Sequence, residues 1–328
     1  MNAQTSVMYP SVAARIPEFL PRAGLQFELQ HGIYAVGDLC RTEKLEGIRL
    51  INVGPEDDHW RATFETTVLE SKFDEAAVVI CAPKNRVREM QARLLPQVIK
   101  GKTKDGVVRE INLTHILVVP EATAHALAFK TYLESIDSKS NAMVVSIGHG
   151  TVECGIADDN GVISETLASY PIGTAVVAEA VKNRILELGG KALIGEGTTG
   201  YWDDVIIDVH SGHQRSFSLA YSAGTISPDQ VKKLVFDELH KYAAKLSSTV
   251  RGWWSPWRDR PSVLFPTGGG PLLGPVKVKL TATAEADNLD VMDVSKDSSL
   301  QSAAVGCREI GKLKFPHQNI IAIDQGNR

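Results

Sequence analysis

Four short, almost wholly apolar runs constrain this chain more than any other feature: Ala76–Ala82 (AAVVICA), Ile116–Val119 (ILVV), Ala142–Ile147 (AMVVSI) and Asn319–Ile323 (NIIAI). Each has strand length and offers no polar face to water, so each reads as a strand covered on both sides. Turn formers close them: Pro83, Pro120, Gly148-His149-Gly150 and Asp324-Gln325-Gly326-Asn327. Helical patterns alternate with them, at Asn85–Ile99, from about Ala122 to Leu133, at Thr174–Leu188 (closed by Gly189-Gly190), at Pro228–Ser247 behind the N-cap Ser227, and at Leu300–Leu313. Further strands are expected at Val152–Asp158, turning through Asp159-Asn160-Gly161 into Val162–Leu167, and at Ser262–Phe265 and Leu289–Val294. Alternating strands and helices with glycine turns at strand ends define an α/β protein whose ligand chemistry lies at those turns.

A length of 328 residues with 43% hydrophobic side chains is enough for about two domains. The net charge of -4 and the lack of a long basic run give no indication of direct DNA binding. Cys40, Cys81, Cys154 and Cys307 are widely spaced and form no C-x-x-C pair. That spacing argues against a zinc site or disulfide framework and for a reducing cytoplasm. No secretory leader is visible, and the apolar stretch Ile116–Phe129 is cut by Pro120, Glu121 and His125. It is too short and too polar for a bilayer, so a soluble cytoplasmic protein without membrane insertion is expected.

Asp324–Asn327, Ser146–Thr151 and Thr267–Gly270 share one device. A buried strand runs into a glycine-containing turn whose N–H groups can approach a phosphate with no Cβ in the way. Singly, each is an ordinary turn. Together, and at this spacing, they resemble the actin, Hsp70 and sugar-kinase superfamily. Ile147–Asp158 looks like its second phosphate loop, and Val118–Ala128 (VVPEATAHALA) like the first connecting segment. Phe265–Gly274 (FPTGGGPLLG) resembles the adenosine motif and Leu300–Lys312 the second connecting helix. Tyr9–Ala14 (YPSVAA) and Tyr34–Asp38 (YAVGD) are similar to the bacterial plasmid-partitioning actins of the ParM group. The D-x-G strand that opens family members stands here at Asn319–Asn327, after the second connecting helix. Circular permutation accounts for this, with Leu313–Gln318 as connector; a truncated chain with an accidental D-x-G is the alternative.

The resemblance implies an actin/Hsp70/ribonuclease H-like two-lobed α/β fold, each lobe a mixed sheet with flanking helices and a nucleotide in the cleft between them. One lobe is residues 1–138 with 300–328, the other 139–299. It implies ATP or GTP with Mg²⁺ as cofactors. Glu121 would orient the attacking water, with Glu153 sharing that role. Asp324 would contact Mg²⁺ through water, and Asp324, Gly326, Asn327, Ser146, Gly148, His149, Gly150 and Thr151 would surround the phosphates. Gly268, Gly269 and Gly270 would face adenosine. Relatives carry an aspartate where this chain has Ser146, which brings no charge to offset Mg²⁺. A plain helix N-terminal carboxylate is the other reading of Glu121, and a plain turn residue that of His149. Trp253, Trp254 and Trp257 are read either as an interface or as an anchor for the preceding helix.

The expected function is an ATP-dependent filament that segregates plasmid or other DNA through an adaptor, with the chain itself as principal partner. A filament scaffold with little hydrolysis, or a small-molecule kinase, are the alternatives.

Overall fold

A computed structural model of the chain describes residues 12–43, 45, 48–49, 54–71, 73–134, 141–158, 161–188, 201–212, 226–257 and 260–324. Its first elements are β1 (Val12–Ile16), β2 (Leu25–Leu29), β3 (Gly32–Val36), α1 (Asp38–Thr42), β4 (Ile48–Arg49) and α2 (Asp58–Glu70). There follow β5 (Glu75–Ala82), α3 (Val87–Arg93), β6 (Gln97–Thr103), β7 (Val108–Pro120) and α4 (Glu121–Glu134). The next segment contains β8 (Ala142–Ile147), β9 (Val152–Asp158), β10 (Gly161–Val162), β11 (Ala168–Tyr170), α5 (Ala175–Glu187), α6 (Tyr201–Ser211) and α7 (Pro228–Trp254). The last elements are β12 (Val263–Thr267), α8 (Gly274–Glu285), β13 (Asp290–Val291), α9 (Lys296–Lys314) and β14 (Ile320–Asp324).

The strands build two mixed sheets. One has the order β14-β5-β7-β6-β2-β3-β1-β4; the other runs β10-β9-β8-β12-β13, with β11 also paired to β9. β5 shows why its sequence has no polar face. Val78, Ile80 and Ala82 join Trp60, Phe64 and Met90 on one side, whereas Val79 and Cys81 meet Ala124, Ala303 and Cys307 on the other. α4 lies between the sheets. Its Ala124 packs toward β5 and α9, and its Ala126 and Phe129 pack on Val144 and Phe265 of the second sheet. α9 approaches so closely that a Cβ on Gly306 would overlap the Ala124 carbonyl.

Among the described residues β14 pairs only with β5, in parallel, at the edge of the sheet. Its apolarity comes from its two faces. Ile321 and Ile323 face the core of the first sheet, while Ile320 and Ala322 face the α9 side with Phe315. Apolar composition reports coverage on two faces; it carries no information about pairing on two edges.

Several boundaries differ from those expected. The helix expected over Asn85–Ile99 stops at Arg93 and Gln97 already begins β6, because Pro96 holds the preceding backbone extended. The strand expected over Val162–Leu167 is two residues long and gives way to a 3₁₀ turn at Ser164–Thr166. α7 extends past Ser247 to Trp254 behind the capping box of Ser227 and Gln230. Trp253 and Trp254 therefore belong to its last turn and are buried. The Trp253 indole N–H donates to the Thr166 carbonyl (2.7 Å) and that of Trp254 to Asp287 (2.8 Å). Trp257 is partly buried against the same core. These side chains anchor the helix, and the interface reading is set aside. The Gly189-Gly190 closure lies outside the described residues.

Among the described residues no helix is long and apolar enough to cross a membrane.

Candidate functional site

β14, β5 and β7 are parallel neighbours, so their C-terminal ends lie side by side. The register places Asp324 opposite Cys81, and Cys81 opposite Val119. Pro120 ends β7 and Glu121 opens α4 in the next residue. Three chain segments far apart in sequence thereby bring Cys81, Glu121 and Asp324 together, with one ligand atom from each within 4.8 Å of the others. Cys81 Sγ lies 3.5 Å from Asp324 Oδ1. Glu121 is 1% exposed, and its Oε1 has no hydrogen-bond partner among the described residues.

The second sheet supplies a polar rung to the same region. Glu153, Ser146 and Thr267 are direct register partners across β9, β8 and β12, so their side chains leave the sheet on one face. That face also carries Val144 and Phe265 and is covered by α4. Ser146 is 1% exposed, and its Oγ is a buried atom without a partner among the described residues. Glu153 accepts hydrogen bonds from the Ser169 hydroxyl and, at 3.2 Å, from the backbone N–H of Lys84. The Lys84 ammonium donates to the Leu167 carbonyl at 2.5 Å. Lys84 follows β5, so these contacts tie the first sheet to the second.

The electrostatics follow from burial and crowding. Desolvation, then the charges of Asp324 and Glu153, raise Glu121 well above the ordinary carboxylate value. Desolvation also raises Glu153, to about 7, against the lowering effect of hydrogen bonds from Ser169, Lys84 and Thr151. The Cys307 thiol, burial and the nearby Asp324 and Glu121 hold the Cys81 thiol well above its usual value. The raised carboxyls of Glu121 and Glu153, from two sheets, thus converge beside Asp324, an arrangement that a cation relieves. The donor set fits a divalent ion, and Glu121 Oε1 and Ser146 Oγ are buried polar atoms without a partner among the described residues.

The loop after β8 is held from behind. The carbonyls of Gly148, His149 and Gly150 accept from the N–H groups of Thr174, Ala175 and Gly173 at the start of α5. Thr151 is tied to Glu153. His149 is mostly buried, and its Nδ1 lies 3.4 Å from both Asp203 and Thr174. Its ring thus meets the N-cap of α5 and the first turn of α6.

The turn after β12 has mixed reasons for its glycines. Gly268 has a φ of +86°, in the left-handed region. Gly270 is required by packing, since a Cβ there would overlap Ile147. Gly269 is the half-exposed one of the three. Asp324 is described but Gly326 and Asn327 lie outside the described residues.

Several residues at this site were not singled out by sequence reasoning. Cys81 and Lys84 flank Pro83 at the end of β5, a parallel-strand end where ligand chemistry concentrates. His125, wholly buried, lies one helical turn beyond Glu121, an i, i+4 spacing visible in the sequence. Its Nδ1 is 2.7 Å from Ser302 Oγ, and Ser302 in turn bonds Thr267, whose hydroxyl also donates to the Ser299 carbonyl at 3.0 Å. Burial lowers His125 to about 4, so the ring is neutral at physiological pH. This chain of hydroxyls joins α4, α9 and the glycine turn after β12.

No protein-family model and no curated protein sequence matches the chain. Solved structures match its fold. The archaeal actin homologue Ta0583 superposes with a TM-score of 0.67 at 15% identity, over 94% of this chain and 93% of its own, and has been solved in complex with ADP. A non-polymerisable quadruple mutant of pCBH ParM gives a TM-score of 0.70 at 13% identity, with 94% and 93% covered. Bacillus thuringiensis ParM with ATP gives 0.58 at 14% identity, with 94% and 92% covered. At these identities the likeness establishes the fold, which is actin-like: two mixed sheets with flanking helices.

Proposed function

We propose that this chain is an actin-like, ATP-dependent filament protein, with the nucleotide bound between lobes formed by residues 1–138 with 300–328 and by 139–299. The observation that carries this reading is the convergence of Glu121 and Asp324 from the first sheet with Glu153 from the second. A bound ATP or GTP with its divalent cation, Mg²⁺ by resemblance, would supply the phosphoanhydride bond and the positive charge that this carboxyl cluster calls for. Asp324 would hold that cation, through water by resemblance. Glu121 has an unengaged oxygen with which to orient a water molecule, and Glu153, ionising at about 7, can hold or release a proton near neutral pH. Gly148, His149, Gly150 and Thr151 would line the phosphates, although the Gly148 N–H is itself given to the Thr151 carbonyl; Gly326 and Asn327 would join them by resemblance, and Gly268, Gly269 and Gly270 would border the adenosine. The Lys84–Glu153 tie and the His125–Ser302–Thr267 chain connect elements from both sheets. Losing the terminal phosphate would loosen this joint and weaken filament contacts.

The partners we propose are further copies of the chain and a DNA-bound adaptor, in plasmid or other DNA segregation within the cytoplasm. We further propose that the D-x-G strand is circularly permuted; its support is the parallel pairing of β14 with β5 beside Glu121. One observation favours a filament scaffold with little turnover. Ser146 stands on the rung where an acid would help to hold the cation. Calorimetric titration with ATP, ADP and GTP tests the nucleotide reading. Saturable binding of one nucleotide per chain is expected, and no binding of any of the three would end it.

A further inference from the structure

Mg²⁺ prefers six oxygen ligands at about 2.0–2.1 Å. The cluster at the ends of β14, β5 and β7 adds a thiol to its two carboxyl groups. We propose that Cys81, Glu121 and Asp324 form a direct three-ligand site for a thiophilic divalent cation of the Zn²⁺ class, in preference to Mg²⁺. This deepens the reading of the same region as a cation-dependent nucleotide site, and it can be tested without nucleotide.

The geometry supports direct coordination. Zn²⁺ takes sulfur at about 2.3 Å and carboxylate oxygen at about 2.0–2.2 Å in tetrahedral array, which sets ligand sulfur and oxygen about 3.5 Å apart. Cys81 Sγ and Asp324 Oδ1 are 3.5 Å apart, and Glu121 completes a triangle no wider than 4.8 Å. A thiol–carboxylate hydrogen bond alone would explain the first distance. It does not explain Glu121, which is 1% exposed and has an Oε1 with no partner among the described residues. The ligands are also preorganised. Asp324 and Cys81 are register partners, and Cys81 is paired with Val119, two residues before Glu121. Strand hydrogen bonding thus fixes their spacing before any ion arrives. Three protein ligands leave a fourth position open, the arrangement of reactive rather than purely structural zinc sites. Thiolate donors select against Mg²⁺. Binding breaks the Cys81 S–H bond and forms a sulfur–metal bond, with the proton passing to solvent. An ion seated there occupies Glu121 and withdraws it from orienting water, so a soft ion and hydrolysis exclude one another.

The experiment uses the full chain, stripped of metal and free of nucleotide, titrated with Co²⁺ as spectroscopic probe. A near-ultraviolet sulfur-to-cobalt charge-transfer band should saturate at one ion per chain. Equimolar Zn²⁺ should abolish it, whereas a roughly hundredfold excess of Mg²⁺ should not. The band should vanish in Cys81→Ser and persist in Cys307→Ser. Absence of the band, its survival in Cys81→Ser, or its displacement by Mg²⁺ overturns the proposal. Should Cys81→Ser not fold, X-ray absorption at the zinc edge of the wild-type chain decides: one sulfur at about 2.3 Å supports the site, and none, or more than one, overturns it. ATP binding is titrated in parallel, so intact nucleotide binding without the band refutes the ion site alone.

Discussion

Replacing Glu153 by Gln should change the pH dependence of stability in a defined way. Burial raises this carboxyl from its ordinary 4.5 to about 7 in the fold, so the native state holds its proton more tightly than the unfolded chain does. Between these values the native state binds more protons, and wild-type stability therefore falls as pH rises from about 4.5 through about 7, then levels off. At 1.36 kcal/mol per pH unit the full effect is roughly 3 kcal/mol. Gln mimics the protonated acid: its amide oxygen can accept from the Lys84 N–H, and its NH₂ can donate to the Ser169 oxygen. Wild type and Glu153→Gln should therefore be close in stability at pH 4.5, and the variant should be the more stable by roughly 3 kcal/mol at pH 8. Urea unfolding followed by tryptophan fluorescence at several pH values measures the difference. A difference that stays flat from pH 4.5 to 8, or a variant less stable at pH 8, would refute the burial argument.

Two further outcomes are expected at the proposed nucleotide site. Glu121→Ala should slow phosphate release by about ten- to a thousandfold while ATP affinity stays close to wild type, as for loss of one orienting group; unchanged turnover removes Glu121 from the mechanism. Ser146→Asp should raise Mg²⁺ affinity or turnover by restoring a charge on the rung between Glu153 and Thr267; abolished ATP binding would mean that this loop does not face the phosphates.

Much of the site was legible because its segments are strand ends. AAVVICA, AMVVSI and the strand before Asp324 read as strands and form strands. Glu121, Glu153, Ser146 and Asp324 were singled out by the family resemblance, and the strand register brings them to one region. Cys81 was not, since cysteine spacing along the chain argued against a metal site. Spacing rules see ligands carried by one loop, whereas Cys81, Glu121 and Asp324 come from three different segments. The contacts of the His149 ring with Asp203 and Thr174 were not legible. Only the partner helices α5 and α6 decide that, and no local pattern records them. The packing need at Gly270, where a Cβ would meet Ile147 across the sheet, has no local sequence signal. The edge position of β14 was equally hidden, because apolar residues report covered faces and are silent about edges.

The central claim is nucleotide-controlled assembly, and sedimentation of the full chain with ATP, ADP and no nucleotide, with released phosphate measured in the same tubes, tests it most directly. The chain should pellet with ATP, pellet much less with ADP or without nucleotide, and release phosphate as the pellet declines. Equal pelleting in all three conditions, or none in any, would contradict it.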